Sequence, residues 1–157
     1  MTIDCCYIGK TKADYLKTGI NLYEKRLGHY LKLTTTILPD LKNAKNLAIS
    51  EIKKREAKTI LNRLNPGDYL VVLDEQGKHY TSQKFADWFQ KKMNCGTAKI
   101  VFQVGGAYGF DESVYQRANE KLALSSMTFS HQMIRLLLVE QIYRAMTILN
   151  NQPYHNS

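Results

Sequence analysis

The 157-residue chain has little of what staples a secreted or metal-bound protein: three cysteines, an odd number, and four scattered histidines. Cys5 and Cys6 are neighbours in an extended stretch, where side chains alternate between faces, so they form no chelating pair. Reduced thiols of this kind fit the cytoplasm. His29, His79, His131 and His155 share no spacing with Cys or Asp that would hold a metal, and no metal is assigned. No leader is expected, because the opening residues carry Asp4 and run into a lysine-bearing segment without a cleavage site. No stretch reads as a membrane span: the longest apolar one, residues 133–149, is interrupted by Arg135, Glu140 and Arg144. Repeats, low-complexity tracts and long linkers are absent, and 44% apolar with 23% charged residues excludes a disordered tail or a collagen-like chain. Acidic residues are few as well. Asp and Glu number 14 against 22 Lys and Arg, a net charge of +8 that favours an anionic partner, nucleic acid foremost. Runs such as Lys53-Lys54-Arg55 and Lys91-Lys92 serve equally well as solvated helix faces.

What is present is an alternation of extended and helical patterns along residues 1–157, read as a single domain. This predicts an α/β fold with a mostly parallel sheet flanked by helices. Strands are expected at residues 3–8 and 31–38, with a helix at 14–27 between them and another at about 50–64. Pro66-Gly67 is a turn, and the apolar run 69–73 after it reads as a strand covered on both faces. Ser82 is a plausible N-cap for a helix at 83–93, followed by a buried strand at 99–104. A short helix near 112–118 and an apolar, small-residue segment at 122–129 lead to a long helix at about 131–150, with Ser130 as its cap. That helix carries two apolar faces. Ile134, Leu137, Leu138, Ile142 and Ala145 are expected to pack the sheet, and Leu136, Val139 and Tyr143 to meet a partner subunit.

The motifs that could carry chemistry lie in the second half. Gly105-Gly106-x-x-Gly109 follows a buried strand, where glycines let a ligand approach the backbone; a tight turn without ligand explains them equally well. It is not a dinucleotide fingerprint, since it lies two-thirds of the way along the chain, and no phosphate-binding lysine follows it. Asp74 and Glu75 stand at a strand end, at the sheet edge where open α/β folds place ligands, yet their spacing fits a solvated acidic turn better. His131 reads as an aid to capping the last helix. His155, beyond Pro153, reads as part of a fraying tail. No nucleophile elbow or Ser-His-Asp order supports covalent hydrolysis.

Taken together, LDEQGK (73–78), VGGAYGF (104–110), LALSSMTFSHQMIR (122–135) and LLLVEQIYRAMTILNNQPYH (136–155) resemble the RlmH-type family of SPOUT methyltransferases over essentially the whole chain. The resemblance implies an α/β SPOUT fold with a C-terminal trefoil knot and a homodimer. The implied activity is S-adenosylmethionine-dependent methylation of N-3 of a pseudouridine in the helix 69 loop of large-subunit (23S) ribosomal RNA. It places the S-adenosyl-L-methionine site on Leu73, Gly105, Leu124, Ser125, Ser126, Met127, Thr128 and Phe129. It also raises His155, Tyr154 and Arg144 to catalytic candidates, because the family's tail closes over the partner's cofactor. His155 is then the expected proton acceptor or positioner, and Arg144 holds RNA phosphate or developing charge unless it only pairs with Glu140 one turn away. The alternatives are a SPOUT enzyme acting on another RNA such as transfer RNA, and a silent RNA-binding or ribosome-assembly dimer.

Overall fold

A computed structural model describes residues 1–156. The elements run β1 (Thr2–Ile8), α1 (Asp14–Leu27), β2 (Lys32–Leu38), α2 (Ile49–Asn62), β3 (Tyr69–His79), α3 (Ser82–Asn94), β4 (Lys99–Gln103), α4 (Glu112–Arg117), β5 (Glu120–Ala123) and α5 (Met133–Leu149). A helix between successive strands lets each strand return in the same direction, and every pairing is parallel, in the order β2-β1-β4-β3-β5. The expected α/β architecture is therefore present. Because all five strands point one way, the loops after β1, β2, β4 and β5 gather at a single edge.

Alternation along the strands divides the core in two. Ile3, Cys5 and Tyr7 of β1 and Ile100 and Phe102 of β4 face α1, α3 and α5, whose Ile20, Phe85, Phe89, Leu138 and Ile142 complete that layer. Cys6 and Ile8, with Leu70, Val72 and Val101, face α2 and α4 through Ala57, Ile60 and Val114. Burial pushes both strand thiols up, Cys6 to about 11, so they are inert apolar groups. Among the described residues no helix is long and apolar enough to cross a membrane.

Several expectations need correction. The segment 74–79 is not a turn after a finished strand: β3 continues to His79 and pairs with β5 a second time, Lys78 opposite Leu122 and His79 opposite Ala123, after a break in register beyond Leu73. Gly77 makes this possible. A Cβ there would lie 2.7 Å from the Lys121 carbonyl carbon and 2.8 Å from the Leu122 nitrogen, so only glycine lets the two backbones come that close. The N-cap of α3 is Thr81, whose hydroxyl accepts from the Lys84 N–H, and Ser82 is already helical. Ser130 does cap the last helix, its Oγ accepting the Met133 N–H at 3.1 Å, although α5 starts two residues later than expected.

The two-faced reading of α5 also changes. Val139, expected at a subunit interface, is completely buried in the chain's own core. Leu136 packs against Gly19 of α1, and Tyr143 sits among Tyr23, Tyr30 and Tyr154. The reason is that α1 and α3 flank α5 on the same side of the sheet and cover what the sequence pattern left for a partner. Leu137, expected in the core, is instead only partly buried, on a stripe with Met133, Glu140, Gln141, Arg144 and Ile148 at helical spacing.

Candidate active site

At the edge where the loops gather, a cavity of about 640 Å³ opens between the loop after β4 and the segment joining β5 to α5. Its floor is apolar, from Leu73 at the bend of β3, Val104, Leu122, Leu124 and Ile134. Residues 105–110 form one wall, and Ser125, Met127, Thr128 and Phe129 form the other. Seven of the eight residues expected to hold the cofactor thus meet around one space. Ser126 does not line it and is exposed on the adjoining turn.

Both walls are fixed from behind. A Cβ on Gly105 would come 3.2 Å from the Phe110 ring, which itself lines the cavity, and one on Gly106 would come 2.8 Å from the Glu56 carboxylate of α2. Gly109 adopts a φ of +80° to turn the loop back, a conformation suited to glycine. Burial, reinforced by Asp40, holds Glu56 above the usual carboxylate range. On the other side Thr128 donates to Glu75, and Asp74 accepts from the Tyr115 hydroxyl and from the Gln76 N–H at 2.8 Å. Both acids accept hydrogen bonds at the cavity wall, Asp74 partly buried and Glu75 open to solvent, so the stretch is solvated as expected but is strand and not turn. Tyr115 is held protonated by burial and by Asp74. Around the mouth, Tyr108, Phe129 and Met127 expose 52%, 40% and 75% of their surface, an apolar collar left open in the single chain.

The three catalytic candidates meet one another elsewhere. Arg144 donates to Glu140 Oε1 at 2.7 Å, the pairing expected one turn away, and its Nη1 lies 3.3 Å from His155 Nδ1. Tyr154 donates to the same Glu140 oxygen at 3.0 Å, packs its ring on Tyr143 and lies beneath the Arg144 guanidinium. Residues 154 and 155 are therefore ordered against α5 and do not fray. Burial, with hydrogen bonding to Tyr23 and the charge of Glu140, pushes the Tyr154 hydroxyl well above its ordinary range, so it serves as a donor and not a base. None of the three lines the cavity. Ile134, which does, lies ten residues before Arg144 on α5, about 15 Å along the helix.

Sequence reasoning missed Phe110, Tyr115, Leu122, His131 and Ile134 as cavity residues. Phe110, Leu122, His131 and Ile134 lie inside the quoted motifs. Tyr115 lies outside them, on α4, and only its bond to Asp74 brings it in. His131 does not cap α5, since Ser130 fills that role. No group of His, Cys, Asp and Glu able to hold a metal ion occurs among the described residues.

The family profile described as "Predicted SPOUT methyltransferase" matches residues 1–155. The chain is 54% identical over 156 residues to a protein of Parabacteroides distasonis named ribosomal RNA large subunit methyltransferase H, covering 99% of both chains. Proteins of the same name from Christiangramia forsetii and Bacteroides thetaiotaomicron are 49% identical over 156 residues and 50% identical over 149, covering 99% and 95% of each chain.

Proposed function

Because the chain belongs to the SPOUT methyltransferase family, we propose that it is an S-adenosylmethionine-dependent enzyme that methylates large-subunit ribosomal RNA at N-3 of a pseudouridine in the helix 69 loop. The observation that carries this reading is the cavity at the sheet edge, which gathers the glycine loop and Ser125, Met127, Thr128 and Phe129 around one apolar floor. Its volume lies within the roughly 300–1,000 Å³ typical of cofactor sites. The residues fit the cofactor: the Gly105 backbone is open where a side chain would crowd Phe110, and Leu73, Leu122 and Leu124 offer an apolar slot for an adenine ring. Leu73, Gly105 and Leu124, with Ser125, Met127, Thr128 and Phe129, would hold it, and Ser126 would shape their turn. When bound, S-adenosylmethionine supplies a methyl group activated by a sulfonium. We place the family's trefoil knot in the two loops around this cavity.

The acceptor nitrogen of an imide carries a proton and is a weak nucleophile until that proton leaves. The protein must therefore align the base and receive or stabilise the charge. His155 is assigned the proton-accepting or positioning role, and Arg144, beside it, the stabilisation of developing negative charge or an RNA phosphate. Tyr154 positions both by donating to Glu140 and stacking under Arg144. Since this group and the cavity lie about 15 Å apart along α5, the working site is assigned to a homodimer in which one chain's tail serves its partner's cavity. The open collar of Tyr108, Met127 and Phe129 supports such a cover. The +8 charge suits an RNA partner.

The test is transfer of radiolabelled methyl groups to ribosomes from cells lacking the modification. Label at N-3 in helix 69 is the expected result. Label confined to transfer RNA would move the enzyme to another substrate, and RNA binding without label would make it a silent assembly factor.

A further inference from the structure

Arg135 is completely buried, and among the described residues no carboxylate pairs with it. Its guanidinium is spent on neutral acceptors instead. Nη2 donates to the Ile8 carbonyl at 2.7 Å, Nη1 to the Gly9 carbonyl at 2.9 Å and to Thr11 Oγ1 at 3.1 Å, and Nε to the His131 carbonyl at 3.1 Å. The charge lies over the Tyr7 ring, 4.8 Å from its centre. One side chain thus locks the loop after β1 to the residue that leads into α5. Gln132 adds two further ties, accepting from the Lys12 N–H at 2.9 Å and donating to the Lys10 carbonyl at 3.3 Å.

The residue held in this way, His131, lines the cavity, and its imidazole makes no hydrogen bond among the described residues. Its charged surroundings come from three elements: Arg135 on α5, Lys12 on the loop after β1, and Asp40 on the loop after β2. Burial and then Arg135 lower its pKa, with Asp40 opposing, so at neutral pH the ring is uncharged and offers one N–H and one lone pair. A rigidly placed ring at the cavity whose nitrogens no protein group takes up can exchange its water for a ligand. Its position says which one. Beside it lies the cavity wall formed by Ser125, Met127, Thr128 and Phe129; Lys12 and Asp40 reach it from the loops after β1 and β2, which also carry the exposed Lys10, Lys42 and Lys45.

We propose that His131 contacts the acceptor nucleotide, its imidazole hydrogen-bonding the pyrimidine as that base passes from the lysine-bearing loops into the cavity. The lysines meet the flanking phosphates, which fix register, while the imidazole meets the base edge. A base with alternating N–H and carbonyl groups suits a ring that can both give and accept. This assignment rests on the methyltransferase reading above.

The test compares wild type, His131→Ala and His131→Asn in steady-state methyl transfer to unmodified ribosomes, with calorimetric titration of S-adenosylmethionine alongside. Loss of one hydrogen bond to the acceptor should lower kcat/KM about tenfold or more in the alanine variant. Cofactor affinity should stay within about twofold, and asparagine, which keeps a donor and an acceptor, should restore part of the rate. Transfer by His131→Ala within twofold of wild type overturns the assignment. So does a parallel fall of cofactor affinity and rate in both variants, which would make His131 a wall residue only. Wild-type protein that labels no RNA strikes the methyltransferase reading itself, and this assignment with it.

Discussion

Replacing Gly77 with alanine tests the junction between β3 and β5. The new methyl would meet the Lys121 carbonyl carbon at 2.7 Å and the Leu122 backbone at 2.8 Å, distances at which something must shift. No flexible side-chain end is available to yield, so the strands themselves must part. Overpacking of this kind costs about 1–3 kcal/mol, and contact with backbone on a paired strand belongs in the upper part, about 2–3 kcal/mol. Removing a glycine from the unfolded chain offsets about 0.4–1 kcal/mol. The net loss is about 1–2.5 kcal/mol, which for a chain of this size lowers Tm by about 2–10 °C. Calorimetric melting is the assay, with Gly67→Ala as control, since a Cβ on Gly67 meets nothing within 4 Å and that variant should melt at or slightly above wild type. Because Leu73 and Leu122 flank the junction and line the cavity, cofactor affinity should fall together with stability. A Gly77→Ala protein that melts no lower than wild type would refute the argument that this close approach requires glycine.

Further outcomes are expected. Gly105→Val should abolish calorimetric binding of S-adenosylmethionine while the protein stays folded, because the branched side chain drives the Phe110 ring into the cavity; retained affinity would remove Gly105 from the site. Deleting residues from Tyr154 onward should leave light scattering of a dimer unchanged and reduce methyl transfer on the order of 10²–10⁴-fold. Mixing that chain with Gly105→Val should restore activity if subunits exchange, since one heterodimer then holds one intact cavity and one intact tail; a mixture that stays dead excludes a shared site. Leu137→Asp should give folded monomers by light scattering, whereas Val139→Asp should unfold the chain by circular dichroism, because Val139 is enclosed within the protomer. Glu56→Gln should raise Tm at neutral pH: a carboxyl held above its ordinary range destabilises the fold wherever it is ionised, and the gain should vanish below about pH 4, where Glu56 is protonated in folded and unfolded chains alike. Equal gains at both pH values would refute that cause.

The sheet was legible because its strands are short apolar runs between amphipathic helices, and residues such as Leu70, Val71 and Val72 admit little else. What escaped depends on partners far along the chain. β5 is four residues long and opens with Glu120-Lys121, too polar to announce a strand. Glu120 is instead an acceptor for the Trp88 indole, the Tyr69 hydroxyl and the Tyr80 hydroxyl. The second pairing of β3 hides behind an acidic stretch whose charges are satisfied by Tyr115 and Thr128, about 40 and 50 residues away. Periodicity on α5 shows apolar character all round but not what covers it, so Val139 and Leu137 exchange places between core and surface. The residues expected to hold a cofactor, seven of which line one cavity, were singled out through resemblance, since glycine clusters and serine-rich loops carry no unique chemistry alone. His131 was not placed at the cavity because a histidine before a helix looks like a cap until Ser130 is seen in that role.

The order of the sheet also has a consequence in time. β1 lies between β2 and β4, so the first strand made gains its second neighbour only when residues 99–103 exist. About 95 residues separate the end of β1 from the end of β4, a delay of about 5–20 s at ordinary rates of synthesis. The carbonyls of Ile8 and Gly9 wait longer still for Arg135. During that interval a strand edge containing Ile3, Cys5 and Tyr7 is open on the nascent chain, the kind of surface that captures another unfinished copy. Completion of the sheet is therefore a late event in synthesis, and recovery of folded protein on refolding should improve with dilution.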